Sequence, residues 1–415
     1  MSSYRALSRN HDFTVLWIGQ TISEVGSRMS MFVFPLVTFA LTGSVLLAAA
    51  AEALHLLGVA GALLPAGVLA DRRDRRRIMR AASAVGVLLY ASLAGAGIAG
   101  TLTVPHLLVV ALLTGVGAGL FAPAELSAVR AVVPTDQLPT ALSQHQARLH
   151  VAALVSAPLG GVLLGIARWL PFAVDAASYL ASWVLLGRLR ADLSPTPYDG
   201  PRRRPGHDLV EGARFVWSRP FFRVLTIWGP LTNLMVNALF FVAVLRLISG
   251  GSSALQIGLV EAIAGVAGIV GAVLAPWLID RVPTGRLTVL IAWSFLPLVV
   301  PMALWPEPLV VAAALGLGML LNPAGNAGIG SYRVAITPPA LVGRVQATSQ
   351  FASMSTMPFA PVLAGTLLTT LGGTAATLTL GLLTAAVALI PTLSASVRSV
   401  PRPAAWDVCA APAAA

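Results

Sequence analysis

Long apolar runs alternate with short polar breaks along almost all of this 415-residue chain. A bilayer core takes about 20 apolar residues per helix. The pattern predicts twelve such spans, at 13–41, 44–70, 78–100, 104–133, 138–166, 169–189, 220–248, 254–279, 287–306, 308–335, 341–371 and 373–395. Several spans are separated by very short turns, so neighbouring helices run antiparallel. Two of the polar breaks stand out. Asp71-Arg72-Arg73-Asp74-Arg75-Arg76-Arg77 directly follows span 2, and Asp280-Arg281 to Arg286 directly follows span 8, 209 residues later.

That spacing is the register of an internal repeat. Sliding the chain by 209 places Phe222, Val224 and Leu225 under Phe13, Val15 and Leu16, Glu261 under Glu52 and Asp280 under Asp71. A shift of 200 places Gln346, Ala347 and Pro358 of span 11 under Gln146, Ala147 and Pro158 of span 5. Chance matches of Leu and Val are cheap in an apolar chain, but matches of Glu, Gln, Pro and Asp are not. The expected fold is all-α and integral to the membrane, with twelve transmembrane helices in two parallel six-helix bundles. The boundaries are 1–189, a basic linker at 190–219, 220–395, and a disordered cytoplasmic tail at 396–415. Such repeats are a common build for secondary transporters, with the substrate site near the midplane at the repeat interface.

Composition agrees with the pattern. Hydrophobic residues make up 57% of the chain and charged residues 10%, against about a quarter in soluble domains. The net charge of +11 would suit nucleic acid, but the arginines concentrate in alternate loops rather than on one solvated face. They fall in the N-terminal tail, the 71–80 loop, the 188–223 connection, the 281–286 loop, the 333–344 turn and the C-terminal tail. The positive-inside rule then puts both termini in the cytoplasm of a multi-pass inner (plasma) membrane protein and excludes nucleic acid as a partner. All 27 basic residues are arginine. Without lysine there is no P-loop to hold a nucleotide and no Schiff-base chemistry. Cys409 has no partner for an internal disulfide, and no cleavable signal peptide is visible.

Gly67-Val68-Leu69-Ala70-Asp71-Arg72-Arg73-Asp74-Arg75-Arg76 resembles the loop 2–3 signature of the major facilitator superfamily, Gly-x-x-x-Asp-Arg-x-Gly-Arg-Arg/Lys. Asp74 stands where Gly is usual, and Asp tolerates a left-handed backbone better than most residues. The second copy, Asp280, Arg281 and Arg286, is degenerate and one residue longer. Phe121-Ala122-Pro123-Ala124, Pro171 to Tyr179 and Glu211-Gly212-Ala213-Arg214-Phe215 are similar to the branch of bacterial macrolide-efflux and enterobactin-exporter proteins. Two departures from drug/proton antiporters are present. Ala157-Pro158-Leu159-Gly160-Gly161 varies the span 5 motif, and span 4 lacks the usual Arg. The resemblance implies a gate built from Gly67, Asp71, Arg72, Arg75, Arg76, Asp280, Arg281 and Arg286. In it the Asp71 carboxylate faces the positive end of span 11 near Leu341-Val342-Gly343, because helix N-termini favour anions. A plain positive-inside loop explains Arg73 and Arg77 equally well, but not Asp71.

Charges inside spans usually face a cavity or a partner. Glu24 lies roughly 16 Å into span 1 at helical rise, and Arg28 shares its face one turn on. The repeat sets Asn233 and Asn237 at the matching positions of span 7. These four line a substrate cavity, or Glu24 and Arg28 simply neutralise each other so that the helix inserts. Glu52 and Glu261 are the symmetric acids of spans 2 and 8, and His55 follows Glu52 at i+3. With Glu24 they are the candidates for proton coupling, since buried carboxyls and imidazoles titrate near neutrality. A structural Glu52–Arg28 bridge is the alternative. Arg148 at the start of span 5 is either interfacial or presented to an anionic substrate. Glu125 and Arg130 are expected to extend the hairpin's charge network, Asp175 to be structural, and Asp208–Trp217 to form an interfacial amphipathic helix. Trp17, Trp228 and Trp293 are candidate cavity walls.

No catalytic set or metal cluster is spaced on any helix, so the chain reads as a transporter rather than an enzyme, without a cofactor and driven by the proton gradient. Its partners are then a small-molecule substrate, protons and the lipid bilayer, and it is expected to act as a monomer. Sparse polar points among Ala, Leu, Val and Gly favour export of amphipathic molecules such as antibiotics, natural products or siderophores. A facilitator or importer of a small metabolite on the same fold is the alternative.

Overall fold

A computed structural model describes residue 7 and residues 9–134, 137–194, 213–338 and 341–406. Among these residues twelve helices are long and apolar enough to cross a membrane, and there is no strand. The first six are His11–Thr42, Val45–Arg72, Arg75–Ile98, Val104–Val132, Leu138–Ile166 and Leu170–Gly187. Each is one unbroken helix. Spans 7 and 8 are Pro220–Ser249 and Ala254–Arg281, and span 12 is Gly373–Leu393. Outward faces carry large apolar side chains such as Leu88, Val273, Leu309 and Leu382, as lipid requires of surfaces that cannot hydrogen-bond to water.

Local chemistry sets the turns. Span 1 ends at Gly43 with φ of 65°, a left-handed position that costs glycine nothing, and its N–H closes on Phe39 O at 2.7 Å. Ser44 follows at once and caps span 2, its hydroxyl accepting from Leu47 N at 3.3 Å. Two residues thus reverse the chain. Asp74 does the same for span 3. Its φ is −56°, not left-handed, and its carboxylate accepts from Arg76 N at 2.8 Å. The residue that departs from the family's Gly therefore works as a helix cap instead of supplying a left-handed turn.

Spans 9, 10 and 11 are each broken into two helices: Thr284–Trp293 and Leu296–Leu304, Pro308–Leu320 and Asn322–Ala335, Val342–Ser355 and Phe359–Leu371. Pro297 and Pro323 sit in the first turn of the second piece, and Pro358 immediately precedes one. A proline at these places lacks the N–H that would tie it to the previous turn. The repeat-related Pro123 and Pro158 lie inside unbroken helices.

The contacts divide the chain into two units, Met1–Tyr198 with Ile248–Ala262, and Asp199–Leu247 with Ile263–Ala415. The start of span 8 thus packs with the first unit, where a Cβ on Gly161 would lie 2.6 Å from Ala254 O and one on Gly258 2.5 Å from Ala157 O. Spans 2 and 4 approach as closely. A Cβ on Gly115 would collide with His55 O, and one on Gly58 with Leu112 O. Small residues let helix backbones touch where lipid offers no hydrophobic drive for packing.

The expected tail and linker are partly structured. Val397 and Val400 are buried, Thr284 N and Gly285 N donate to Pro401 O and Val400 O, and Trp406 packs on Tyr332 with ring centroids 5.4 Å apart. Residues 396–406 are therefore docked rather than disordered, because two apolar side chains and the free N–H groups opening span 9 hold them. Residues 208–212 and Cys409 lie outside the described residues; 213–218 are helical.

Candidate functional site

The first unit encloses a cavity of about 250 Å³ between spans 1, 2, 3, 4 and 6. Its wall is mostly apolar, from Val59, Val85, Leu89, Leu113 and Phe121, with Glu24, Ser27, Thr114, Glu125 and Tyr179 as polar points. Glu24 pairs with Arg28, Nε to Oε1 at 2.5 Å, so the two charges satisfy each other while the acid still lines the cavity. Arg28 is not part of the wall.

Glu125 has a different partner from the one expected. Its carboxylate lies 2.7 Å from Arg148 Nη2, with His145 Nδ1 at 3.8 Å. Arg148 is only 4% exposed and does not line the cavity. The pair joins spans 4 and 5, so Arg148 is committed to Glu125 and unavailable to a substrate there, and Glu125 turns to the cavity instead of the hairpin.

Behind the wall lies a polar cluster. Asp175 is fully buried and accepts from Ser30 Oγ at 2.5 Å, from Ser178 Oγ at 2.9 Å and from the Tyr90 hydroxyl. Tyr90 stacks on Tyr179 at 5.6 Å, and Ser27 Oγ donates to the Tyr179 hydroxyl at 2.9 Å. Gly26 makes room for this: a Cβ there would collide with both Asp175 Oδ1 and Ser178 Oγ. Three hydroxyls in place of a cation satisfy a buried acid, a role the sequence assigns to Asp175 only in outline.

Glu52 is 4% exposed and sits in the same unit as Glu261. Both repeat partners thus fall in the first unit. No ion pair joins Glu52 to Arg28 among the described residues; Arg28 is held by Glu24. His55 faces span 4, with Nδ1 3.4 Å from Thr114 Oγ1.

The second unit has a cavity of about 220 Å³ with the opposite character. Asn233, Asn322, Asn326, Arg333, Gln346, Ser349 and Ser353 line it, together with Trp228 and Thr232. Asn233 is there as the repeat predicts, whereas Asn237 is not part of the wall and donates to Asn233 O on its own helix at 2.7 Å. Of the three candidate tryptophans only Trp228 lines either cavity; Trp293 Nε1 donates to Thr392 at 2.9 Å. Sequence reasoning misses Arg333, Asn322, Asn326 and Gln346 as cavity residues. Arg333 near a span end reads as ordinary positive-inside charge, and nothing in its sequence neighbourhood distinguishes it.

Each charged loop is tied to the segment that leaves its own bundle. In the first unit Arg75 N and Nη1 donate to Leu193 O at 3.2 and 3.4 Å, Arg75 Nη1 also donates to Ser194 O, and Arg76 Nη2 donates to Ala191 O. Asp12 receives Arg190 N and Ala191 N at 2.9 Å each. In the second unit the backbone of Thr284 and Gly285 holds Pro401 and Val400. There Asp280, Arg281 and Arg286 are exposed, and Arg281 lies 4.5 Å over the Trp277 ring. Gly67, Asp71 and Arg72 lie in the span 2 helix; the side chains of Asp71 and Arg72 are outside the described ones.

The fold is similar to that of several solved transporters. It matches the nucleoside transporter NupG with a TM-score of 0.72 at 10% identity, covering 92% of this chain and 98% of that one. It matches a D-xylose-proton symporter at 0.66 and 14%, covering 92% and 97%. A bacterial homologue of the iron transporter ferroportin in an inward-facing state gives 0.66 and 16%, covering 90% and 98%. In sequence, the multidrug efflux pump Tap of Mycolicibacterium fortuitum is 25% identical over 357 residues, 82% of this chain and 85% of the relative. The family profile of the Major Facilitator Superfamily matches residues 16–332. With twelve membrane-spanning helices, a repeated charged loop and a profile match over most of its length, the chain belongs to the Major Facilitator Superfamily of multi-pass membrane transporters for small molecules.

Proposed function

We propose that the chain is a proton-coupled exporter of amphipathic small molecules, working by alternating access in the inner membrane with both termini cytoplasmic. The observation that supports coupling is that Glu52 and Glu261, the symmetric acids of spans 2 and 8, fall in one unit. Two like charges in a low-dielectric setting repel strongly, and uptake of a proton relieves that repulsion. Neither acid has an ion-pair partner among the described residues that would do so instead. Glu24 is a second candidate, because it opens onto the cavity, but Arg28 already neutralises it. The apolar wall of the first cavity suits a hydrophobic cargo, and the likeness to a multidrug efflux pump points the same way.

A second reading, uptake of a metabolite, is favoured by the amide-rich second cavity, since hydrogen-bonding groups suit a polar cargo. A susceptibility panel in a pump-deficient bacterial host separates the two. Export predicts raised tolerance to several amphipathic antibiotics, lost when a protonophore collapses the gradient. Unchanged tolerance, with faster accumulation of a polar metabolite, would instead support uptake.

A further inference from the structure

We infer that the cavity of the second unit is an anion subsite, built to take the carboxylate of a transported organic acid on Arg333. The inference rests on the transporter reading but not on its direction. Arg333 is partly buried at the end of the Asn322–Ala335 helix, and its Nη2 is cut off from solvent with no hydrogen-bond partner among the described residues. No acid lines the cavity among the described residues, and no salt bridge reaches Arg333. This contrasts with Arg28 and Arg148, each of which has its own glutamate. A partly buried guanidinium loses solvation that an anion can offset.

The neighbours are suited to complete such a site. Gln346 and Asn326 bring amide donors, and Trp228 brings an indole N–H that is buried and has no partner among the described residues. Indole N–H and guanidinium groups donate only. The planar guanidinium fork matches a carboxylate through two parallel hydrogen bonds, which gives geometric preference as well as charge. Trp228 and Phe222 add flat apolar surface beside the donors, so an aromatic acid fits better than a small inorganic anion. A phosphate oxygen of a lipid headgroup shares the same chemistry and is the rival source of the anion.

The test uses the full-length protein in phosphatidylcholine nanodiscs, with calorimetric titration of matched pairs: benzoate with benzamide, 2-naphthoate with 2-naphthamide, indole-3-acetate with its amide. At least one acid should bind ~10-fold or more tightly than its amide, the scale of a charge-assisted bond in a buried site. Arg333→Gln should remove that preference, and Arg333→Lys should keep part of it by keeping charge without the fork. Gln346→Ala, which leaves the charge untouched, should weaken the acid by ~3- to 10-fold and covers the case in which Arg333→Gln fails to fold. Equal binding of acids and amides, a preference that survives Arg333→Gln, or no saturable binding of any acid would overturn the inference. So would a preference abolished by adding phosphatidylglycerol, which would assign the site to lipid. Because no gradient is imposed, a failure of proton coupling leaves this result unaffected.

Discussion

The two units start from one repeated plan and arrive at opposite cavities. In the first, the acids at the wall are answered by arginines of the same unit: Glu24 by Arg28, Glu125 by Arg148. What remains exposed to the cavity is largely apolar. In the second, amides replace the acids and Arg333 has no answering acid among the described residues. The repeat carries Glu24 and Arg28 onto Asn233 and Asn237, so the ion pair of one unit is a pair of neutral amides in the other. Prolines diverge in effect as well. Pro123 and Pro158 ride inside continuous helices, while Pro323 and Pro358 stand at breaks. A duplicated scaffold thus retains its number of spans and its charged loops while the groups at its cavities change sign.

The sharpest way to break this comparison is to remove one partner from the first unit. Glu125→Ala leaves Arg148 buried without its anion and should cost about 3–5 kcal/mol of stability, read as a large fall in melting temperature in detergent. Replacing both residues with apolar ones of similar size should recover most of it. Arg333→Gln, which strands no partner, should leave the melting temperature near that of the parent. Equal losses from Glu125→Ala and Arg333→Gln would remove the distinction between a paired and an unpaired arginine.

A smaller effect is expected from packing. Gly26→Ala forces a methyl group into Asp175 and Ser178 and should destabilise by about 1–3 kcal/mol. The repeat places Met235 at the matching position of the second unit, where a large side chain is accommodated; Met235→Leu, which keeps the volume, should be tolerated. Thermal melting of the two variants compares the positions directly, and a harmless Gly26→Ala would mean that the Asp175 cluster is not tightly packed. The smallest effect separates the loops. Asp74→Ala loses a helix cap and should cost about 1 kcal/mol, whereas Asp280→Ala, exposed and capping nothing, should fall within about 0.5 kcal/mol of the parent.

Much of the frame is legible in sequence because the bilayer imposes it. Twelve apolar runs become twelve helical spans at nearly the expected bounds, three of them broken in two, since an unpaired backbone group in lipid is prohibitive. Gly43 and Ser44 announce their turn. What escapes is whatever depends on a partner far along the chain. Arg148 reads as an interfacial or substrate-facing charge until Glu125, 23 residues earlier and on another span, is seen to hold it. Arg333 reads as a loop charge until its isolation is visible. Residues 396–406 read as part of a disordered cytoplasmic tail until Val397 and Val400 are found docked at the start of span 9. In sequence Glu52 and Glu261 share only a symmetry of positions; that both fall in one unit needs the fold.

Proton coupling is decided by gradient-driven transport in proteoliposomes, with any amphipathic compound to which the chain confers tolerance. With proton coupling, an imposed pH gradient drives net movement of the compound, and Glu52→Gln binds it but no longer moves it against its own gradient. Movement at the same rate with and without the gradient, or full coupling in Glu52→Gln and Glu261→Gln alike, would contradict it.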